Sequence, residues 1–221
     1  MVEAQRLENS GGIAEIVDDL VANEGTGASA YVTSGKLLSG PRSRANLADA
    51  AHYLCLLHGD HPGMIDAALA ANVVPAGRAW LAEAAEGFSR EREFLARLVA
   101  AVGSMPSTAG HAQCEAAVLA QRHALDMLAV SERRGCAFGA AVALTLDWRT
   151  IRAILDIASD RIDITSLRCA LPDLQETATV LMAVAQDEAT SRAIDFGARQ
   201  LLMQHRGLWD LLGVREASRA D

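Results

Sequence analysis

From Gly135 to Leu146 the chain carries no charge, and Asp147-Trp148-Arg149 then breaks the run before Ile151, Ile154, Leu155 and Ile157 resume a helical pattern. A helix that is apolar on all sides has to be surrounded by other helices. The stretch Ser131–Ala158 is therefore read as the central rod of a bundle. Its uncharged part falls well short of the roughly 20 apolar residues that a membrane span needs, so no membrane partner is expected.

The rest of the composition agrees with a bundle. Hydrophobic residues make up 51% of the chain and aromatics only 4%, so alanine and leucine supply most of the apolar mass. Both are strong helix formers, whereas strands draw on β-branched and aromatic residues. The expected fold class is all-α, a single-domain multi-helix bundle. The alanine content and the surplus of amphipathic helices point to a homodimer. A net charge of −8 without a long basic run argues against a nucleic-acid partner, which calls for a concentrated basic face. Cys55, Cys114, Cys136 and Cys169 are widely spaced and form no CxxC pair. Each reads as a small buried hydrophobe in a reduced, cytoplasmic protein. The opening MVEAQRLENSGG has no apolar core behind a basic patch and does not read as a secretory signal.

Along the chain, three parts are expected: an N-terminal arm over 1–45, a helical bundle over 46–213 and a polar tail over 214–221. The arm holds a polar, mobile start, a short amphipathic helix over Ile13–Val21 and a Gly/Ser-rich loop from Asn23 to Arg44. Its Gly35-Lys36 pair does not make a phosphate loop, because Ala30 and Leu37 stand where that motif needs glycine and Ser or Thr. In the bundle, Asn46 is expected to cap a helix that stops at Gly59, and Pro62 to open the next one. Long helices are expected over Ala76–Val102 and Ala109–Val130, with Pro106-Ser107-Thr108 between them. After an ill-defined connector, Pro172-Asp173 opens another helix. The last one spans Thr190–Leu212 and ends at Gly213.

Several residue groups could carry chemistry. His52, Cys55 and His58 share one side of a helix, with His61 just beyond, and imidazole with thiolate at that spacing can ligate a transition metal. The paired spacing of a structural zinc site is missing. His111, Cys114 and Glu115, followed by His123 and Asp126, lie at one-turn intervals. With Glu83, Glu86, Glu91 or Glu93 they suggest a carboxylate–histidine cluster. No Glu-x-x-His element occurs, which removes the ligand pattern of a di-iron carboxylate protein. Asp147 is the outstanding single residue. A buried carboxylate is costly unless paired, and Arg122, Arg133 or Arg149 are candidate partners. Gly135 and Gly139, with Ala137, Ala140 and Ala141, form a small-residue face suited to close helix packing or to a flat ligand.

Three patches resemble the TenA/PqqC group of heme-oxygenase-like helical bundles. They are His61-Pro62-Gly63-Met64-Ile65 followed by Trp80-Leu81 and Phe88–Leu95; the Gly- and Ala-rich Gly135–Trp148; and Leu208-Trp209-Asp210. The resemblance implies a heme-oxygenase-like bundle, with a ferritin-like bundle as the alternative. Thiaminase-type members of that group place a nucleophilic cysteine just before the tryptophan of the second patch and a glutamate shortly before the third. This chain has Leu146 and Asp147 at the first place and His205 at the second, so the group's cleavage chemistry is not implied. Three functions follow as expectations. One is a bundle that binds a small-molecule ligand in a pocket formed by Glu83, His123, Asp147, Trp148 and His205. Another is a metal-dependent ferritin-like oxidase using His52, Glu115 and His123. The third is a helical interaction or regulatory protein without a ligand.

Overall fold

A computed structural model describes residues 2–71, 73–105 and 110–219, with side chains from residue 12 onward. Every regular element among them is helical. The α-helices are α1 (Val2–Glu24), α2 (Ala30–Thr33), α3 (Ser43–His58), α4 (Met64–Ala71), α5 (Arg78–Val102), α6 (His111–Ala129), α7 (Cys136–Asp160), α8 (Leu174–Val184) and α9 (Glu188–Ser218). Two single 3-10 turns, Thr26–Ala28 and Pro75–Gly77, complete the list. The chain is thus an all-α bundle. None of its described helices is long and apolar enough to cross a membrane.

The uncharged run is the centre of the molecule. Every residue from Gly135 to Trp148 is buried, because α1, α3, α4, α5, α6 and α9 all pack on α7. The most extensive partner is α9, and the small-residue face explains why. A Cβ on Gly139 would lie 2.1 Å from the Ile194 carbonyl oxygen, and one on Gly197 would lie 1.9 Å from that of Cys136. The two backbones touch, so this face serves packing and leaves no room for a flat ligand. The rod begins one residue after Gly135, whose φ of 94° lies in the left-handed region that glycine enters without steric cost.

Several boundaries differ from expectation. The segment after α1 is no plain loop: it holds the turn Thr26–Ala28 and α2, and Thr26, Tyr31 and Leu37 are buried. Helix α3 starts at Ser43, ahead of Asn46, whose side chain instead reaches the Lys36 carbonyl at 3.1 Å. Gly59 does end that helix. Pro62 follows a cis peptide bond and precedes α4 instead of lying in its first turn. The expected Pro106-Ser107-Thr108 break lies outside the described residues. Asp173 caps α8 through a reciprocal capping box with Glu176. Helix α9 runs past Gly213, because buried side chains in its last turns pair with other elements. Arg215 Nε donates to Asp49 at 2.8 Å, and Glu216 accepts from Arg42 and Lys36 at 2.7 and 3.1 Å. The N-terminal arm and the C-terminal tail are therefore both packed on the bundle.

Candidate functional site

Asp147 sits near the middle of α7 and is fully buried. None of the arginines considered from the sequence reaches it. Arg122 pairs with Asp60, Arg149 donates to the Pro172 carbonyl, and Arg133 lies over the Phe196 ring. The carboxylate is satisfied from two other directions. The turn after α1 supplies Thr26, whose backbone N–H donates to Oδ1 at 2.7 Å and whose hydroxyl donates to Oδ2 at 2.7 Å. From α9, His205 Nδ1–H donates to Oδ2 at 2.6 Å. Trp209, one turn beyond His205, donates its indole N–H to Thr26 Oγ1 at 2.9 Å. Each polar group here has a partner, which a buried network requires to be stable.

The chain of hydrogen bonds continues outward. His205 Nε2 lies 2.9 Å from Nε2 of His58 at the end of α3. With Nδ1–H directed at Asp147, a neutral His205 can only accept at Nε2, so His58 donates through Nε2–H and keeps a bare Nδ1. Protonating His205 reverses that bond, and His58 then accepts. Burial, the neighbouring His205 and Arg92 together hold His58 well below the ordinary histidine range, so its ring is neutral. Edge-on contacts with Phe88, Trp148 and His205 fix its ring.

His58 also borders a cavity of about 30 Å³ between α3, α4, α5 and α6, closed over by the Asp60–Gly63 turn. Leu57, Phe88 and Leu125 supply apolar wall, and Asp60, Arg122 and Asp126 supply polar groups. Arg92 stands behind the turn, with Nη1 2.9 Å from Asp66 Oδ2 and Nη2 3.2 Å from His61 Nδ1.

A second buried polar group lies on the other side of Trp148. The indole N–H donates to Glu91 Oε2 at 3.0 Å, and Arg152 Nη1 donates to both Glu91 oxygens at 2.6 and 2.9 Å. Arg152 also binds Asp156, Ser166 and the Leu167 carbonyl. It thereby pins the irregular connector between α7 and α8 to α5. This cluster joins α5, α7 and the connector, so its role is to hold the fold.

The residues singled out in the sequence divide accordingly. Asp147, Trp148 and His205 come together in the core. Glu83 is exposed on α5 beside Asp173 and Glu176, and His123 is exposed on α6. The suggested metal set of His52, Glu115 and His123 does not converge. His52 Nε2 lies 2.8 Å from the Gly103 carbonyl oxygen, and the exposed Glu115 lies 3.8 Å from His111. Among the described residues no group of three or more His, Cys, Asp or Glu is placed to hold a metal ion. Glu86 pairs with Arg90 and Glu91 with Arg152, so the wider carboxylate–histidine cluster does not form either. Thr26 was hidden in a segment read as loop, and His58 was singled out only as a metal-ligand candidate with His52 and Cys55. No spacing rule links them to Asp147.

Fold and site together define an all-α bundle built round a carboxylate–imidazole–imidazole relay. The chain belongs to DUF6975, a family of unknown function, which it matches over residues 21–220. Comparisons with curated proteins and with solved structures gave no match.

Proposed function

We propose that this protein binds a small polar molecule at the closed end between α3, α4 and α6, where His58 offers a neutral imidazole backed by His205 and Asp147. One observation carries this: the buried relay is directional, starting at a fully satisfied carboxylate and ending at an imidazole on a cavity wall. A relay of this kind can take up or give back a proton at its outer end while the buried charge stays put. The cavity combines apolar walls with a few convergent polar groups, as ligand sites do. Its volume admits about one water, so a larger ligand enters by displacing the Asp60–Gly63 turn and its Asp60–Arg122 ion pair. The likeness to the TenA/PqqC bundles supports the same reading. Where that group carries its cysteine this chain has Leu146 and Asp147, and where it carries its glutamate this chain has His205; Asp147 and His205 are hydrogen-bonded to each other.

Histidine-selective NMR of the full chain tests the proposal. Titration with small polar molecules is expected to move the His58 ring signals, and His58→Gln to weaken that binding at least tenfold, about 1.4 kcal/mol. A His58 N–H that exchanges with solvent only through global unfolding marks a sealed structural core and overturns it.

Self-association is part of the proposal. Leu119 and Met127 on α6, Val130 just after it, and Phe196 and Met203 on α9 are exposed, which supports a homodimer through these helices. Sedimentation at micromolar concentration decides it, and a monomer there ends it.

A further inference from the structure

The wall of the cavity beside His58 carries two opposite charges on one helix face. Arg122 and Asp126 stand one turn apart on α6, and both line the cavity together with His58 at the end of α3. Asp126 is exposed and has no ion-pair or hydrogen-bond partner among the described residues. His58 bonds through Nε2 to His205, and its Nδ1 makes no hydrogen bond among those residues. Arg122 is the occupied member: its Nη2 pairs with Asp60 Oδ2, a carboxylate that lines the same cavity.

The two ends of the covering turn are held differently. At one end the Gly63 N–H donates to Asp66 Oδ2 at 2.8 Å, and His61 Nδ1 lies 3.2 Å from Arg92 Nη2. Arg92 is buried, and a Cβ on Gly63 would lie 3.1 Å from its Nη1, so this end is seated closely on a fixed side chain. At the other end the pair with Arg122 is the one side-chain tie of Asp60 among the described residues, and the Asp60 side chain is 63% exposed. Ion pairs so open to water add little stability. The turn therefore opens from its Asp60 end, and Arg122 is released at small cost.

With Asp60 swung away, the cavity offers a guanidinium, an unpaired carboxylate and an imidazole nitrogen that can only accept. Asp60 marks the place for a carboxylate on the ligand, since a guanidinium fork matches that group. Asp126 calls for a cation and His58 Nδ1 for a hydrogen-bond donor, and an ammonium group is both. Leu57, Phe88 and Leu125 leave apolar wall for hydrocarbon.

We propose that the ligand is a free α-amino acid with a small apolar side chain, its carboxylate on Arg122 in place of Asp60 and its ammonium between Asp126 and His58 Nδ1. This rests on the reading of the cavity as a ligand site and adds the class of molecule that enters it. The side chain packs on Leu57, Phe88 and Leu125. Asp60 is an internal competitor that keeps Arg122 paired until the ligand's carboxylate displaces it.

Probes of nearly one shape separate the charges: L-valine, 3-methylbutanoate without the ammonium, 2-methylpropylammonium without the carboxylate, and uncharged 3-methylbutanamide. Each is titrated into the full chain while the His58 ring signals are followed by NMR. L-valine is expected to bind at least about tenfold more tightly than each of the other three. Arg122→Gln should weaken valine severalfold and leave 2-methylpropylammonium no weaker. Asp126→Asn should weaken valine likewise and leave 3-methylbutanoate no weaker, whereas Asp60→Asn should tighten valine severalfold. A smaller preference for valine over any of the three overturns the amino-acid assignment and leaves the cavity standing as a ligand site. His58 signals that no probe moves overturn the assignment as well, and the solvent exchange of the His58 N–H then decides separately whether the cavity is a site at all.

Discussion

His205 and Asp147 stand 58 positions apart in sequence and are joined by a 2.6 Å hydrogen bond, with neither side chain more than 1% exposed. The bond ties α9 to α7 at the same level where Thr26 ties the turn after α1 to both. Each oxygen of the buried carboxylate is met by a donor, as burial of such a group requires. The pair is therefore a fastening for three elements, and His205 Nε2 carries the chain of hydrogen bonds on to His58 at 2.9 Å.

Asp147→Asn separates the charge from the shape. An amide fills the same volume, but its NH2 group must face either Thr26 or His205, and both are donors. Breaking a buried pair of this kind costs about 3 kcal/mol or more. Urea unfolding followed by circular dichroism is expected to show a lowered midpoint with an unchanged slope. A loss below about 1 kcal/mol, the net worth of an ordinary hydrogen bond, would mean that the pair adds little to stability.

Acid should weaken the fold through His58 before the carboxylates titrate. Its folded value lies well below the ordinary 6.5 because burial, His205 and Arg92 oppose the charged ring. In the window between the two values the unfolded chain binds more protons than the folded one, so stability rises with pH. The contribution is complete above about 6.5 and is lost as pH falls towards the folded value, at up to about 1.4 kcal/mol per pH unit. Glu216 is held below the ordinary glutamate range by hydrogen bonds from Arg42 and Lys36, so its loss comes at more acidic pH. Unfolding free energies from pH 8 to 5 should show this slope in the native chain and a shallower one in His58→Gln. Equal slopes refute it.

The helices were legible because α5, α6, α7 and α8 carry long periodic apolar patterns with clear breaks. Asp147 stood out for the same reason: a charge at the end of an uncharged run is a local signal. Of its partners, His205 was singled out only through the resemblance, and Thr26 gave no signal. Thr26 sits among glycines and serines that read as loop, and it becomes part of the core only because α7 and α9 leave a polar gap there. Gly213 looked like a stop, yet the bonds of Arg215 and Glu216 outweigh one glycine's propensity cost of about 1 kcal/mol. Glu83 and His123 lay on helices with the right periodicity but on faces that point to solvent, a distinction that spacing within one helix cannot make.

The α7–α9 crossing gives a test of sign. Alanine is normally preferred to glycine within a helix by about 1 kcal/mol. At Gly139 and Gly197 the added methyl would meet backbone of the opposite helix at 2.1 and 1.9 Å, and backbone cannot swing aside. Gly139→Ala and Gly197→Ala should each lose about 1–3 kcal/mol or more from overpacking. Gly12→Ala, with nothing within 4 Å of the new Cβ, should gain up to about 1 kcal/mol. Thermal melts of the three variants check the order, and a stabilised Gly197→Ala would contradict the crossing.

Thr26 lets the hydroxyl be tested apart from the side chain's volume. It donates to Asp147 and accepts from Trp209, so a single oxygen closes two buried bonds. Thr26→Val keeps the shape and strands both an indole N–H and one carboxylate lone pair. Leaving a buried polar group unmet costs about 1–3 kcal/mol, and with two affected the loss should fall at the upper end. Thr26→Ser keeps the oxygen and loses only a methyl, about 1 kcal/mol. The valine variant should therefore be the less stable of the two, although it is the more hydrophobic. Tryptophan N–H chemical shifts provide a second reading: the Trp209 signal should move in Thr26→Val and hold in Thr26→Ser. If valine proves the more stable replacement, the hydroxyl is not what joins the turn to the core.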